Sequence, residues 1–104
     1  MVDNQGALYD YNKVVELDSH NADAYFYRAI IKVVLKDYKG ALSDYTKTIE
    51  LETNNEYAYE KRAELYRKMA DIEQNEEKKA EWIAKAESDE NYSGNSFFYP
   101  WNDI

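Results

Sequence analysis

The sequence predicts an all-α protein of about five helices, arranged as antiparallel pairs in a repeating array. The 104 residues include only 3 glycines and 1 proline, and they are rich in the helix-favouring residues Ala, Lys, Glu and Leu. Apolar residues recur at the spacing i, i+3, i+4 and i+7, which is typical of amphipathic helices. A third observation is internal: one stretch of the sequence recurs after 34 residues.

The repeat relates residues 6–21 to residues 40–55. Residues identical at this offset are Gly6 and Gly40, Ala7 and Ala41, Leu8 and Leu42, Asp10 and Asp44, Tyr11 and Tyr45, Lys13 and Lys47, Glu16 and Glu50, Leu17 and Leu51, and Asn21 and Asn55. The offset continues, with Ala24, Tyr25, Arg28 and Ala29 matching Ala58, Tyr59, Arg62 and Ala63. A run of this length indicates a structural unit repeated in tandem.

The helices are predicted at about residues 5–18, 22–35, 39–52, 56–73 and 76–90. The second has a stripe of Ala22, Tyr25, Ala29, Val33 and Lys36, with Phe26 and Ile30 beside it. The third has Ala41, Leu42, Tyr45, Thr48, Ile49 and Glu52 at helical spacing.

The connections have their own signals. Asp37-Tyr38 predicts a tight turn, and Asn54-Asn55 predicts a helix end, since Asn tolerates the left-handed conformation of a C-cap. Asn75 is a predicted N-cap for the fifth helix, because Glu76 and Glu77 follow it in the first turn.

The pattern resembles the tetratricopeptide repeat (TPR), a 34-residue helix–turn–helix unit that reads W-x2-L-G-x2-Y, then A-x3-F, then P. Tyr25 stands at the W, Arg28 and Ala29 at L-G, Lys32 at the Y, Ala41 and Tyr45 at A-x3-F, and Thr53 at the Pro. In the first copy Ala7 and Tyr11 supply A-x3-F, and Ser19 replaces the Pro. In the third, Tyr59, Arg62, Ala63 and Tyr66 fit the first helix, and either Ala80-x3-Ala84 or Lys79-x3-Ile83 serves the second.

The resemblance implies a right-handed helical solenoid of antiparallel helix pairs over residues 1–90. It consists of the second helix of repeat one at about 5–21, repeat two at about 22–55 and a modified repeat three at about 56–90. Residues 91–104 form a C-terminal tail with Phe97, Phe98, Tyr99 and Trp101. We expect the chain to be either a fragment of a longer array or a processed chain.

Residues that carry catalysis are scarce. The one histidine, His20, falls in a predicted loop, there is no cysteine, and three isolated glycines make no phosphate-binding loop. Asp71-x-Glu73-x-Asn75 faintly resembles a calcium loop, but Glu76 and Trp82 stand where the Gly and the closing Glu are needed. We therefore expect no enzymatic activity, no cofactor and no metal.

Charge and hydropathy restrict the partners. The formal net charge of -8 disfavours nucleic acid and anionic membrane surfaces. No apolar run approaches the roughly 20 residues of a spanning helix, and the start carries no basic or apolar signal region. We expect a cytoplasmic protein. The sequence does not decide whether a signal segment has been removed or whether a domain lies upstream.

The resemblance implies that first helices line a concave groove, which suits an extended peptide or a helix of a partner protein. The groove candidates are Asp23, Phe26, Tyr27, Ile30 and Val33 on the second helix, and Tyr57, Glu60, Lys61, Glu64 and Arg67 on the fourth. Phe26 and Ile30 disfavour the TPR subclass that clamps a terminal carboxylate. The alternatives are that Phe26, Ile30 and Val33 are simply buried, and that the chain is a structural or oligomerisation segment with no peptide ligand.

Three further expectations concern packing. Asp10 is predicted to pair with Arg28, and Asp44 with Arg62, each 18 residues apart; pairing of Arg28 with Asp44 is the alternative. The first helix should be incompletely covered along Ala7, Leu8, Tyr11, Val14 and Val15. The aromatic tail is predicted to pack on an apolar surface, and a homodimer would form through that tail or through the uncovered first helix.

Overall fold

The structure, a computed structural model, describes residues 3–92. It contains the helices α1 (Asn4–Leu17), α2 (Ala22–Val34), α3 (Tyr38–Leu51), α4 (Glu56–Ile72) and α5 (Glu76–Tyr92), and no strand within the described range. The predicted all-α class and all five helices are confirmed. Of the predicted tail, residues 91–104, Asn91 and Tyr92 belong to α5, and residues 93–104 lie outside the described residues. The chain divides into two compact units, the first ending at Asn54 and the second starting at Asn55.

The repeat is visible in how α1 and α3 begin. Asp3 and Asp37 are the N-caps of α1 and α3, and their carboxylates accept from the backbone N–H of Gly6 at 2.9 Å and Gly40 at 3.0 Å. A Cβ on either glycine would meet the capping carboxylate. In the Asp-x-x-Gly spacing, the aspartate therefore starts the helix, and the glycine leaves the space that the capping carboxylate occupies.

The first helices begin with an asparagine cap. The side-chain oxygens of Asn21 and Asn55 accept from the N–H of Ala24 and Ala58, both at 3.0 Å. The prediction of a left-handed C-cap at Asn54-Asn55 is wrong, since the only non-glycine residue with positive φ among the described residues lies elsewhere. Asn55 instead has φ -82° and starts α4, because its side chain satisfies an amide that the helix leaves unpaired.

The predicted tight connection between α2 and α3 is confirmed, and Lys36 is the residue that makes it tight. Lys36 has φ 66°, in the left-handed region. Its N–H donates to the Val33 carbonyl at 2.9 Å, and the N–H of Asp37 donates to the Lys32 carbonyl at 2.8 Å. These two bonds are the pair that closes a Schellman helix end, in which glycine is the usual left-handed residue.

We expect Lys36→Gly to raise the free energy of unfolding by about 0.5–1 kcal/mol. The left-handed conformation costs a side-chain-bearing residue about 1–2 kcal/mol, and the greater unfolded-state freedom of glycine offsets part of that gain. Thermal unfolding followed by circular dichroism measures the change. Lys36→Ala is the control, because it removes the charge and keeps the Cβ. An equal gain from both variants would assign the effect to charge.

The core of the first unit lies between α2 and α3. Its buried residues are Ala22, Ala24, Phe26 and Ala29 on α2, and Ala41, Asp44, Tyr45, Thr48 and Ile49 on α3. The Phe26 and Tyr45 rings lie 5.7 Å apart between centroids. By contrast α1 has no buried residue, which confirms the expectation that its apolar stripe is incompletely covered.

The core of the second unit lies between α4 and α5. Its buried residues are Ala58, Ala63, Leu65, Tyr66, Met69 and Ala70 on α4, and Ala86 and Asp89 on α5. The Tyr66 and Trp82 rings stack 5.8 Å apart with an interplanar angle of 20°. The predicted cap of α5 is confirmed, since the Asn75 side chain accepts from the Lys78 N–H at 2.9 Å.

Candidate functional site

Arg28 connects the three helices of the first unit. Its Nε and Nη2 donate to the two carboxylate oxygens of Asp44 on α3, both at 2.7 Å, and its Nη1 donates to Oδ1 of Asn12 on α1 at 3.0 Å. Lys32, one turn further along α2, lies 3.1 Å from the same carboxylate. The Asp44 side chain is buried, at 4% exposed, and the Arg28 side chain is half-buried, at 16%. The hydrogen bond to Asp44 raises the pKa of Arg28 above its ordinary value.

The predicted pairing of Asp10 with Arg28 is wrong. The structure contains the alternative pairing, that of Arg28 with Asp44. Asp10 is exposed. Residues two apart on a helix point in nearly opposite directions, so Asn12 can face α2 only if Asp10 faces away. Asn12, two residues after Asp10 on α1, therefore makes the contact with Arg28. It does so through a side-chain amide oxygen and not through a carboxylate.

The predicted pairing of Asp44 with Arg62 is also wrong. Nε and Nη2 of Arg62 donate to the Asp89 carboxylate on α5 at 2.7 and 2.8 Å. The guanidinium carbon lies 5.6 Å from the Tyr59 ring centroid and 5.7 Å from that of Tyr66. The bond to Asp89 raises the pKa of Arg62. Each unit thus carries one bidentate Arg–Asp pair, with a buried carboxylate and a half-buried guanidinium, between its two main helices.

This pair assigns the register of α5. Asp89 takes the place of Asp44, and Ala86 the place of Ala41; both alanines have no exposed surface. Neither Ala80-x3-Ala84 nor Lys79-x3-Ile83 supplies the equivalent of A-x3-F, because α4 and α5 are longer than α2 and α3 and displace the match along the chain. The spacing Ala-x2-Asp occurs at both Ala41 and Ala86, but it also occurs at Ala7, whose Asp10 is exposed, so this spacing alone does not identify the pairing carboxylate.

A second, more exposed pair joins α4 to α5. Arg67 donates through Nε and Nη2 to the Glu90 carboxylate at 2.6 and 2.8 Å, with side chains 46% and 32% exposed. This hydrogen bond lowers the pKa of Glu90 and raises that of Arg67. Arg67 is one of the predicted groove residues, and its guanidinium is bound to Glu90 within the unit.

We expect Arg67→Ala to raise the pKa of Glu90 towards the ordinary glutamate value. A carboxylate with a lowered folded pKa stabilises the fold above its unfolded pKa, and that contribution disappears as the pH falls through the folded value. Carbon-13 NMR titration of the carboxyl groups measures it. Arg67→Lys is the matched variant, because it keeps the charge and loses the bidentate geometry. An unchanged Glu90 pKa in Arg67→Ala would contradict the assignment.

The groove candidates of α2 differ in exposure. Asp23 and Tyr27 are exposed, Tyr27 at 49%. Ile30 and Val33 are half-buried. Phe26 is only 6% exposed and packs on Tyr27, 5.4 Å away between centroids, as well as on α3. Phe26 therefore belongs to the core of the first unit, and Tyr27 is the aromatic side chain of this set that a partner can reach.

The groove candidates of α4 are mostly exposed. Tyr57 is 56% exposed, with Nζ of Lys61 lying 5.5 Å from its ring centroid. Lys61 also lies 3.5 Å from Glu64, and Glu60 is exposed. This surface combines an aromatic ring with alternating charges.

A second feature of the first unit, absent from our sequence-based expectations, is a surface cleft of about 330 Å³ between α2 and α3. Tyr25 and Arg28 line it from α2. From α3 it is lined by Ser43, Asp44, Thr46, Lys47 and Glu50. The spacing Tyr-x2-Arg, which recurs at Tyr59, is the signal that sequence offers for it.

His20 lies exposed in the connection between α1 and α2, where its N–H donates to Oδ1 of Asp18 at 3.1 Å. Over residues 3–92, no three His, Cys, Asp or Glu side chains come together in a way that could hold a metal ion. Within that range we also find no helix with the length and apolar character needed to cross a membrane.

The two units define an all-α, TPR-like helical-repeat fold. A crystal structure of MamA, a TPR-containing protein, is similar to this chain with a TM-score of 0.65 and 20% sequence identity. The similarity covers 85% of this chain and 49% of the MamA chain, so this chain spans about half the length of that protein. No family model and no curated protein matches the sequence. The resemblance to the TPR family is thus confirmed at the level of the fold.

Proposed function

We propose that the chain is a non-catalytic protein-interaction scaffold that binds a peptide or a helix of a partner in a groove lined by the first helices. The observation that carries the proposal is the exposure of two large tyrosines among the groove candidates, Tyr27 at 49% and Tyr57 at 56%. Tyrosine is enriched at protein interfaces, because its ring buries apolar area while its hydroxyl keeps a polar partner. The TPR-like fold supports the same function.

The charges of the groove candidates suggest the chemistry of the partner. Asp23, Glu60 and Glu64 are exposed carboxylates, and Arg67 is already paired with Glu90. With a chain charge of -8, we expect a partner segment that carries Lys or Arg next to an apolar side chain. The apolar side chain would contact Ile30 and Tyr27.

The test is selection of peptides from a random displayed library, followed by calorimetric titration. We expect the double variant Tyr27→Ser/Tyr57→Ser to bind the selected peptides at least about tenfold more weakly, the loss typical of a truncated aromatic anchor. Tyr9→Ser is the matched control, because Tyr9 is 62% exposed on α1 and outside the groove set. Equal affinity of the double variant and the unmodified chain would overturn the groove.

A structural or oligomerisation segment is the second candidate, and it is favoured by one observation. Although α1 carries Leu8, Tyr11, Val14 and Val15 on one stripe, it has no buried residue. A second copy that covers this stripe would form a dimer, which sedimentation equilibrium measures. A monomer that binds the selected peptides would favour the interaction scaffold.

A further inference from the structure

The two units can be compared position by position, because they share one arrangement. Arg62 follows Arg28 by 34 residues, and Asp89 follows Asp44 by 45 residues. In both units the guanidinium packs over the tyrosine three residues before it, at 5.5 Å from the Tyr25 centroid and 5.6 Å from the Tyr59 centroid. First helices therefore correspond at an offset of 34, and second helices at an offset of 45.

At these offsets Tyr92 of α5 corresponds to Lys47 of α3. The Tyr92 ring lies on Tyr59, with 3.9 Å between centroids and 30° between planes. In the second unit, a tyrosine ring thus lies against the tyrosine that packs on the half-buried Arg62. Burial and the neighbouring Tyr92 raise the pKa of Tyr59.

In the first unit, the corresponding place is the cleft lined by Tyr25, Arg28, Ser43, Lys47 and Glu50. Lys47 does not close it: its side chain is 43% exposed and lies 3.9 Å from Glu50, a contact between exposed groups that stabilises little. The cleft volume of about 330 Å³ is at the small end of the range for ligand sites, about 300–1,000 Å³, which suits one side chain better than a large cofactor.

We propose that this cleft binds a tyrosine side chain of a partner polypeptide, packed against Tyr25 as Tyr92 packs against Tyr59. Arg28 is held by Asp44 and Asn12, so the Tyr25–Arg28 surface is organised before binding. Offset stacking on a ring favours an aromatic occupant over an aliphatic one. The polar rim of Ser43, Lys47 and Glu50 offers donors and acceptors for a phenolic hydroxyl.

The cleft goes beyond the proposed groove, because none of the residues that line it is a groove candidate. Tyr25 and Arg28 lie on a different face of α2 from Asp23, Tyr27 and Ile30. The proposals for the two sites can therefore be tested separately, and one partner could bind at both sites.

The test uses the full chain and the capped peptide acetyl-Gly-Tyr-Gly-amide, followed by nitrogen-15 NMR titration. We expect saturable shifts at the amides of Tyr25, Ser43 and Lys47. Lys47→Tyr should fill the cleft with the protein's own ring and weaken binding at least about tenfold, the factor that corresponds to about 1.4 kcal/mol. Lys47→Arg is the matched control and should bind as the unmodified chain does.

Because Lys47 is exposed, Lys47→Tyr is not expected to unfold the protein, and circular dichroism verifies this. No saturable shifts in the unmodified chain, or equal binding by Lys47→Tyr, would overturn the proposal. Tyr27→Ser/Tyr57→Ser should bind this probe normally. Normal probe binding by that variant, together with its loss of library-selected peptides, would separate the cleft from the groove.

Discussion

Replacing Asp89 by alanine is expected to lower the free energy of unfolding by about 3–5 kcal/mol, the cost of leaving one member of a buried ion pair without its partner. The Asp89 side chain is 6% exposed and that of Arg62 is 16% exposed. Without the carboxylate, the guanidinium stays between Tyr59 and Tyr66 with its charge uncompensated. A loss of this size is a large part of the stability of a small domain.

The molecule contains a matched control for this prediction. The Arg67–Glu90 pair joins the same two helices with the same bidentate geometry, but its side chains are 46% and 32% exposed. We expect Glu90→Ala to cost less than about 1 kcal/mol, because water screens the pair and solvates the remaining charge. Urea unfolding followed by circular dichroism measures both variants. Similar losses of unfolding free energy in the two variants would show that burial does not explain the contribution of the Arg62–Asp89 pair to stability.

Replacing Phe26 by alanine is expected to cost about 3–5 kcal/mol, the usual loss for a buried aromatic residue that leaves a cavity. Phe26 is 6% exposed, and its ring packs against Tyr45, which is 3% exposed. The change in unfolding free energy of Phe26→Ala therefore tests whether Phe26 acts as a core residue or as part of the proposed groove.

Tyr27→Ala is the neighbouring control, because Tyr27 is 49% exposed. We expect it to cost less than about 1 kcal/mol of stability and to weaken binding of library-selected peptides. Thermal and urea unfolding measure the stability of both variants. If Phe26→Ala proved as stable as Tyr27→Ala, the assignment of Phe26 to the core would be wrong.

Most of the local structure could be predicted from sequence. The apolar spacing and the 34-residue repeat predicted five helices, and their observed ends agree with the predicted ones within about two residues. These features are readable because each depends on residues close in the chain. Helix periodicity spans four residues, and the caps at Asp3, Asn21, Asp37 and Asn55 act over three.

The register of α5 could not be predicted in the same way. Only Ala86 and Asp89 of that helix are buried, so its apolar pattern contains too little information to orient it. Its position depends on the pairing of Arg62 with Asp89, 27 residues away, whereas Arg28 and Asp44 are 16 residues apart; the extra residues lie in the longer helices α4 and α5. The predicted ion pairs were wrong for a related reason. Sequence identifies which charges are present, whereas the angular positions on the packed helices decide which ones meet.

The sequence by itself determined the all-α class, the helix boundaries, the repeating TPR-like pattern and the scarcity of residues for catalysis. Each follows from composition or from spacing within a few turns of helix. Only the tertiary structure decided that Phe26 is buried while Tyr27 is exposed, that Arg28 and Arg62 bind Asp44 and Asp89, and that Tyr25 lines a cleft. Burial and pairing depend on contacts between helices that are distant in the chain. The pattern of neighbouring residues does not determine these contacts.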